Sequence, residues 1–209
     1  MRIGRRVRVA HAVQVAAAWP GSTVVCAGSG PSLAAADLDA ARAAGCRVIA
    51  VNDAYRLAPW ADVLYACDSK WWAWHKGAVG FAGRKFALAP QTRRWPDVAV
   101  LAHTGRRGLD GDRGGLRSGY NSGYQAINLA VHLGAARILL LGYDMQGDHF
   151  FGAHPDQSRP PFAVCLREFP SLAAPLAALG IDVVNCTPGS ALRVWPVVPL
   201  AVALEGRAA

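Results

Sequence analysis

Short apolar runs alternate with longer stretches in which apolar residues recur every three or four positions. The runs at 23–27, 47–51, 62–66, 85–89, 98–102, 137–141 and 181–184 read as strands. The run at 137–141 is continuously apolar after Arg137, as expected for a strand covered on both faces. Helical periodicity occupies 34–44, which Gly45 ends, and 124–133, which Gly134 ends. A further helix is predicted over 162–179, with Pro170 and Pro175 expected to break or kink it. From Thr187 the chain is Pro-rich and irregular, closing in a short amphipathic tail. Strands and helices alternating at this spacing predict an α/β fold, a mainly parallel sheet with helices on both faces. The core domain is expected over 21–196, after a basic and apolar segment at 1–20 and before a tail at 197–209.

Composition narrows this picture. The 209 residues suffice for one domain with its own core, and with 53% hydrophobic and 17% charged residues the chain is not disordered. The net charge of +8 comes mostly from arginine, clustered at Arg2, Arg5, Arg6 and Arg8 and again at Arg93, Arg94, Arg106, Arg107, Arg113 and Arg117. Such a charge suits either a solvated surface or a polyanionic or phosphorylated partner. The second cluster overlaps residues 103–119, a stretch with six glycines that reads as a mobile loop. The cysteines 26, 46, 67, 165 and 186 form no CxxC pair, so reduced thiols and a cytoplasmic setting are expected. No stretch is apolar enough for a membrane span, and residues 1–19 match a signal peptide only loosely, so a soluble chain is expected.

Candidate chemistry gathers at the predicted carboxyl ends of the strands, where open parallel sheets bind ligands. Gly28, Ser29, Gly30, Pro31 and Ser32 form a strand-to-helix turn whose backbone N–H groups are expected to cradle a phosphate; an ordinary tight turn is the plain alternative. The turn is neither the dinucleotide GxGxxG, since Leu33 replaces the third glycine, nor a P-loop. Asn121, Ser122 and Gly123 open a second helix and serve as cap, ligand contact or both. Asn52, Asp53 and Asp68 end the second and third strands, Asn52 and Asp53 suited to a ribose, a base edge or a turn, and Asp144 ends the 137–141 strand, suited to sugar hydroxyls, a metal or a structural role. His149 and His154 follow Asp144 closely, near two carboxylates, and suit a general base or a metal, with a surface loop carrying incidental histidines the plain alternative. Trp71, Trp72 and Trp74 cannot all face one core from a helix, so at least one is a candidate for lining a pocket or stacking on a sugar or base, with core packing against a neighbouring helix the simpler expectation. All of this requires Ser29 and Ser122 to share one rim.

The order of these pieces resembles the single-domain, Rossmann-like bacterial sialyltransferases. It also resembles the related domain found in flagellin-modifying proteins, archaeal pterin diphosphokinases and phage genomes. The matching segments are Val25 to Leu33, Ala50 to Asp53, Asn121 to Tyr124, Gly134 to Asp144, Gly152 to His154 and Val184 to Ser190. The resemblance implies a nucleotide-sugar-dependent glycosyltransferase, with a cytidine monophosphate sugar as donor and no required metal. By it, Gly28, Ser29 and Gly30 approach the donor phosphate, Asn52 and Asp144 the nucleotide, Ser122 and Gly123 the phosphate or ribose, and His154 is the base. Met145 and Gln146 stand where the family has phosphate-binding tyrosines, and the lid insertion between Asp144 and His154 is short. The diphosphokinase branch implies the rival, magnesium-dependent pyrophosphate transfer to a small alcohol, with Asp144, Asp148 or Asp68 on the metal. A third reading is a non-catalytic phage or prophage binding protein on the same fold. The acceptor is expected among glycans, proteins and nucleic acids, and residues 194–204 are apolar enough for an interface with a partner or a second copy, though packing on the same domain is the simpler expectation.

Overall fold

The computed structural model describes residues 13–156 and 161–206. The amino-terminal arginines 2, 5, 6 and 8 lie outside the described residues. Among the described residues nine strands form, in chain order: β1 Ser22–Ala27, β2 Arg47–Val51, β3 Val63–Ala66, β4 Arg84–Ala87, β5 Val98–Val100, β6 Ala102–His103, β7 Gly115–Leu116, β8 Ala135–Leu141 and β9 Asp182–Asn185. The helices are α1 Ala35–Ala43, α2 Ser69–Trp74, α3 Ser122–Leu133, α4 Phe162–Leu166, α5 Pro170–Ala178 and α6 Leu200–Glu205. Seven strands make one parallel sheet in the order β5-β4-β3-β2-β1-β8-β9. The fold is thus α/β and Rossmann-like, in a single domain.

Side-chain alternation builds a core on each face of this sheet. Val24, Cys26, Ile49, Tyr65, Ile138 and Leu140 point to one side and pack under α3 and α5. Val25, Ala27, Val48, Leu64, Leu139 and Leu141 point to the other and meet α1, α2 and α6. Residues 13–20 and 197–206 pack on the same body. Val15 and Trp19 are buried in the first core, and Leu200 and Ala203 in the second.

Two expectations change and one holds in part. The 98–102 run divides, because Ala102 leaves the sheet to pair with Gly115 in a small parallel ladder. The break expected in 162–179 falls at Pro170, which starts α5, where its missing N–H costs nothing, while Pro175 does not break the helix and is accommodated inside it. The 103–119 loop is not a mobile basic arm. Buried polar side chains of α3 clamp it: Tyr124 donates to the Gly108 carbonyl, Gln125 to that of Ser118, Asn128 to that of Asp110, and His132 contacts that of Gly115 at 2.9 Å. Three of its four arginines are engaged too, Arg106 and Arg107 with Glu168 and Arg117 with Asp110.

Candidate functional site

The chain order reverses across β1. Strands β2 to β5 extend to one side of it, and β8 and β9 lie on the other. A crevice opens at such a switch point, where neighbouring connections leave in opposite directions. Here it is a cleft of about 280 Å³ lined by Gly28, Ser29, Gly30, Asn52, Asp68, Asn121, Ser122, Gly123, His149 and His154 among others. Segments nearly a hundred residues apart therefore share one rim, Ser29 with Ser122 included.

Helix α3 delivers its start to this rim because it runs into β8 through Gly134, whose left-handed backbone (φ 102°) ends the helix. Running back against the strands, it leaves its amino terminus at their carboxyl edge. Asn121 caps it, the side-chain oxygen accepting from the Tyr124 N–H at 3.1 Å. No described residue accepts the N–H groups of Ser122 and Gly123. They are the orphan donors of the first turn and carry the positive end of the helix dipole.

The glycine turn works differently from the phosphate cradle expected of it. Gly28 N–H donates to the Leu141 carbonyl at 2.7 Å, Gly30 N–H to that of Gly142 at 2.9 Å, and Leu33 N–H to that of Gly30 at 3.1 Å. Ser32 gives both its N–H and its hydroxyl to the Asp144 carboxylate. Only the Ser29 N–H lacks a described acceptor. The glycines are required by the protein itself. A Cβ on Gly28 or on Gly30 would stand 2.6 Å from the Gly142 carbonyl oxygen, and on Gly30 it would also strike the Asp144 carboxylate. Donors without a described acceptor thus come from three positions on two turns, Ser29, Ser122 and Gly123.

Asp144, Pro31, Ser32 and Asp53 do not line the cleft. Asp144 is buried beneath the glycine turn as a brace, and its carbonyl accepts from Ala191. The segment after β9 buttresses the same loop: Thr187 Oγ1 accepts from the Tyr143 N–H, and Ser190 donates to the Tyr143 carbonyl at 2.6 Å. Asp53 turns inward from β2, where Trp71 Nε1 donates to it at 2.8 Å and His75 and Arg56 approach within 3.5 Å. Burial alone would raise its pKa. The bonds from His75 and Trp71, with the charges of His75 and Arg56, outweigh burial and lower it. Asn52, next to it, does face the cleft, in a left-handed conformation (φ 52°) that asparagine tolerates.

His149 and His154 both line the cleft within an aromatic row. The His149 ring stacks on Phe151 at 4.8 Å and meets His154 edge-on at 4.7 Å, and His154 stacks on Trp74 at 5.8 Å. His149 Nδ1 lies 3.2 Å from the Ser29 carbonyl. Since a carbonyl only accepts, that nitrogen carries the proton and Nε2 keeps its lone pair. Nε2 is buried and without a partner among the described residues. Burial and the neighbouring His154 lower the His149 pKa, only partly offset by the Ser29 carbonyl, Asp53 and Asp148. An imidazole so placed stays neutral and basic near pH 7.

Reasoning from sequence did not single out Tyr120, Pro161, Phe162 and Cys165, which also line the cleft. Tyr120 and Met145 share the left-handed backbone of Asn52, with φ of 54° each. Strain of this kind gathers where a fold shapes a site. Among the described residues, no three His, Cys, Asp or Glu side chains stand close enough to share a metal ion. Of the three carboxylates named for magnesium, Asp68 lines the cleft while Asp144 and Asp148 do not. Among the described residues, no helix is long and apolar enough to cross a membrane. No family model, curated protein or solved structure matches this chain.

Proposed function

We propose that the cleft binds a nucleotide-activated sugar and that the protein is a glycosyltransferase acting on a hydroxyl acceptor. The observation that carries this reading is the meeting of the orphan N–H groups of α3 with an imidazole pair across one switch-point cleft. The donor phosphate sits against the N–H groups of Ser122, Gly123 and Ser29, which suit an anion. His154 takes the proton of the acceptor hydroxyl. The freed oxygen bonds to the anomeric carbon, and the bond from that carbon to the phosphate oxygen breaks, so the nucleotide leaves with the bonding electrons. The N–H donors stabilise the charge that develops on the leaving phosphate. The reading calls for no cofactor besides the donor, and a cytidine monophosphate sugar is the first to try, on the sequence resemblance. The absence of a CxxC pair among the cysteines fits a cytoplasmic setting.

Calorimetry against cytidine, uridine and guanosine nucleotides tests this. Ser122→Pro is the informative variant, because Ser122 is the first helical residue. Proline is tolerated there yet removes one donor. At least one nucleotide binds the wild type and binds the variant about tenfold more weakly, a loss of about 1.4 kcal/mol. His154→Ala retains nucleotide binding and loses about 10²- to 10⁴-fold in turnover. Failure of every nucleotide to bind overturns the proposal. Magnesium-dependent triphosphate cleavage that survives His154→Ala replaces it with the diphosphokinase reading.

A further inference from the structure

A second cavity, of about 460 Å³, adjoins the cleft and shares Asn52, Asp68 and His154 with it. Its far wall carries Trp74, Lys70 and Asp156. Trp74 stands apart from its helical neighbours. Trp71 and Trp72 are 3% and 0% exposed, whereas Trp74 is 36% exposed and fixed in place by stacking on His154. Leaving part of a large aromatic face in water forgoes burial that its two neighbours obtain. The three residues sit within one turn and a half of α2, so the helix cannot bury all of them.

We infer that this cavity is the acceptor subsite and that it takes a neutral sugar. The inference rests on the glycosyl-transfer reading for the word acceptor, and on the cavity alone for the sugar. The apolar C–H face of a pyranose matches a flat exposed indole, and its hydroxyls match the side-chain oxygens of Asp68 and Asn52 at the shared border. The charge of the wall selects against a polyanion. Asp68 and Asp156 stand against Lys70, which lies 3.7 Å from Asp156. A nucleic acid needs free cations lining its path, and among the described residues that line this cavity Lys70 is the one Lys or Arg and it faces Asp156. His154 borders both cavities, so a hydroxyl of the bound sugar reaches the base as the donor carbon waits on its other side.

The test is saturation-transfer NMR with methyl glycosides of neutral hexoses and N-acetylhexosamines, run with and without the nucleotide that calorimetry selects. At least one glycoside binds the wild type. Trp74→Ala weakens it tenfold or more and Trp74→Phe keeps most of it, while nucleotide affinity changes less than twofold in both. Asp68→Asn lowers glycoside affinity without removing the Trp74 platform, which separates recognition from a folding defect. The inference is overturned if no glycoside binds a protein that binds nucleotide, if Trp74→Ala binds as the wild type does, or if a single-stranded oligonucleotide binds with Trp74 dependence. Glycoside binding that depends on Trp74 in a protein that binds no nucleotide leaves the sugar site standing and sinks the transfer reading.

Discussion

The hydroxyl of Ser32 donates to Asp144 Oδ2 at 2.8 Å across the switch point, tying the turn after β1 to the loop after β8. Asp144 is buried, and Ser32 supplies two of the donors its carboxylate accepts from. Ser32→Ala leaves that carboxylate short of a bond and costs about 1–3 kcal/mol. Asp144→Asn keeps the shape but turns an acceptor-only group toward the same donors, and costs a comparable amount. Chemical denaturation measures both. A loss of activity in Asp144→Asn without loss of stability would return Asp144 to the chemistry.

The glycine turn gives a sharper test of what its glycines are for. Gly30→Ala and Gly28→Ala each drive a methyl into the Gly142 carbonyl, 2.6 Å away. Overpacking of this kind costs about 1–3 kcal/mol, and more where backbone must move. Gly111 offers the control, since a Cβ there meets nothing within 4 Å. Gly111→Ala therefore leaves stability unchanged or raises it by up to about 1 kcal/mol through the unfolded chain. Thermal melts of the three variants decide it. If Gly30→Ala melts with the wild type and loses only ligand affinity, the turn is a ligand cradle after all.

Asp53 separates stability from binding. Its carboxylate accepts from Trp71 and faces His75 and Arg56 inside the protein, so Asp53→Ala strands a buried indole N–H and costs about 1–3 kcal/mol. Nucleotide affinity, measured below the melting point, stays within a factor of two. The folded pKa of Asp53 is lowered, so its stabilising contribution is present above the unfolded value of about 3.9 and lost as pH falls through the folded value. Urea midpoints between pH 5 and 3 should fall in the wild type and fall less in Asp53→Ala.

The sheet was legible because alternation and continuous apolar runs report burial directly, and the strand ends located the cleft. What eluded the sequence is directional. Gly28 to Ser32 were recognised as one turn, but only the register of β1 with β8 decides that most of its donors face Leu141, Gly142 and Asp144 rather than a ligand. Asn52 and Asp53 are neighbours that point opposite ways, and the left-handed φ of Asn52 that parts them has no unique sequence signal. The 103–119 loop looked free because its own residues are small and polar. Its anchors, Tyr124, Gln125, Asn128 and His132, sit on α3, where polar residues on a buried helix face were the clue. Pro161, Phe162 and Cys165 reach the cleft through tertiary packing alone.

Two imidazoles set the acid side of the stability curve. His132 is buried against Asn128 and the Gly115 carbonyl. Desolvation lowers its pKa and Arg113 adds to this, only partly offset by the Gly115 carbonyl and by Asp110 and Asp112. His149 is lowered for the reason given above. In both cases the unfolded chain, with a pKa of about 6.5, takes up protons before the folded one does. Stability is therefore full above about pH 6.5 and declines as pH falls from there through the folded values. Urea midpoints at pH 7.5 and 5.5 should drop in the wild type. His132→Gln should be weaker at pH 7.5 and lose less between the two. A wild type that gains stability on acidification over this range would contradict the assignment of both groups.

The cysteines close the question of covalent chemistry at the cleft. Burial pushes Cys26 and Cys67 up to about 12 and Cys186 to about 11, and raises Cys165 as well. Only the thiolate attacks, so at pH 8 a thiol with a pKa near 12 reacts roughly a thousandfold more slowly than a free cysteine. Cys67 is the decisive one because it is half-buried and lines a cavity beside Tyr120, Asn121 and Ser122, where a small reagent can reach it. Its inertness must then come from charge, since burial and the nearby Asp68 carboxylate both disfavour the thiolate. Mass spectrometry after brief iodoacetamide treatment at pH 8 should find Cys26, Cys67 and Cys186 unlabelled in the native protein and all five cysteines labelled in guanidinium. Asp68→Asn removes one cause of the raised pKa and should speed labelling of Cys67 alone. Rapid labelling of Cys67 in the native wild type would mean a thiolate at the edge of the cleft. A covalent intermediate would then compete with direct transfer from the nucleotide to the acceptor hydroxyl.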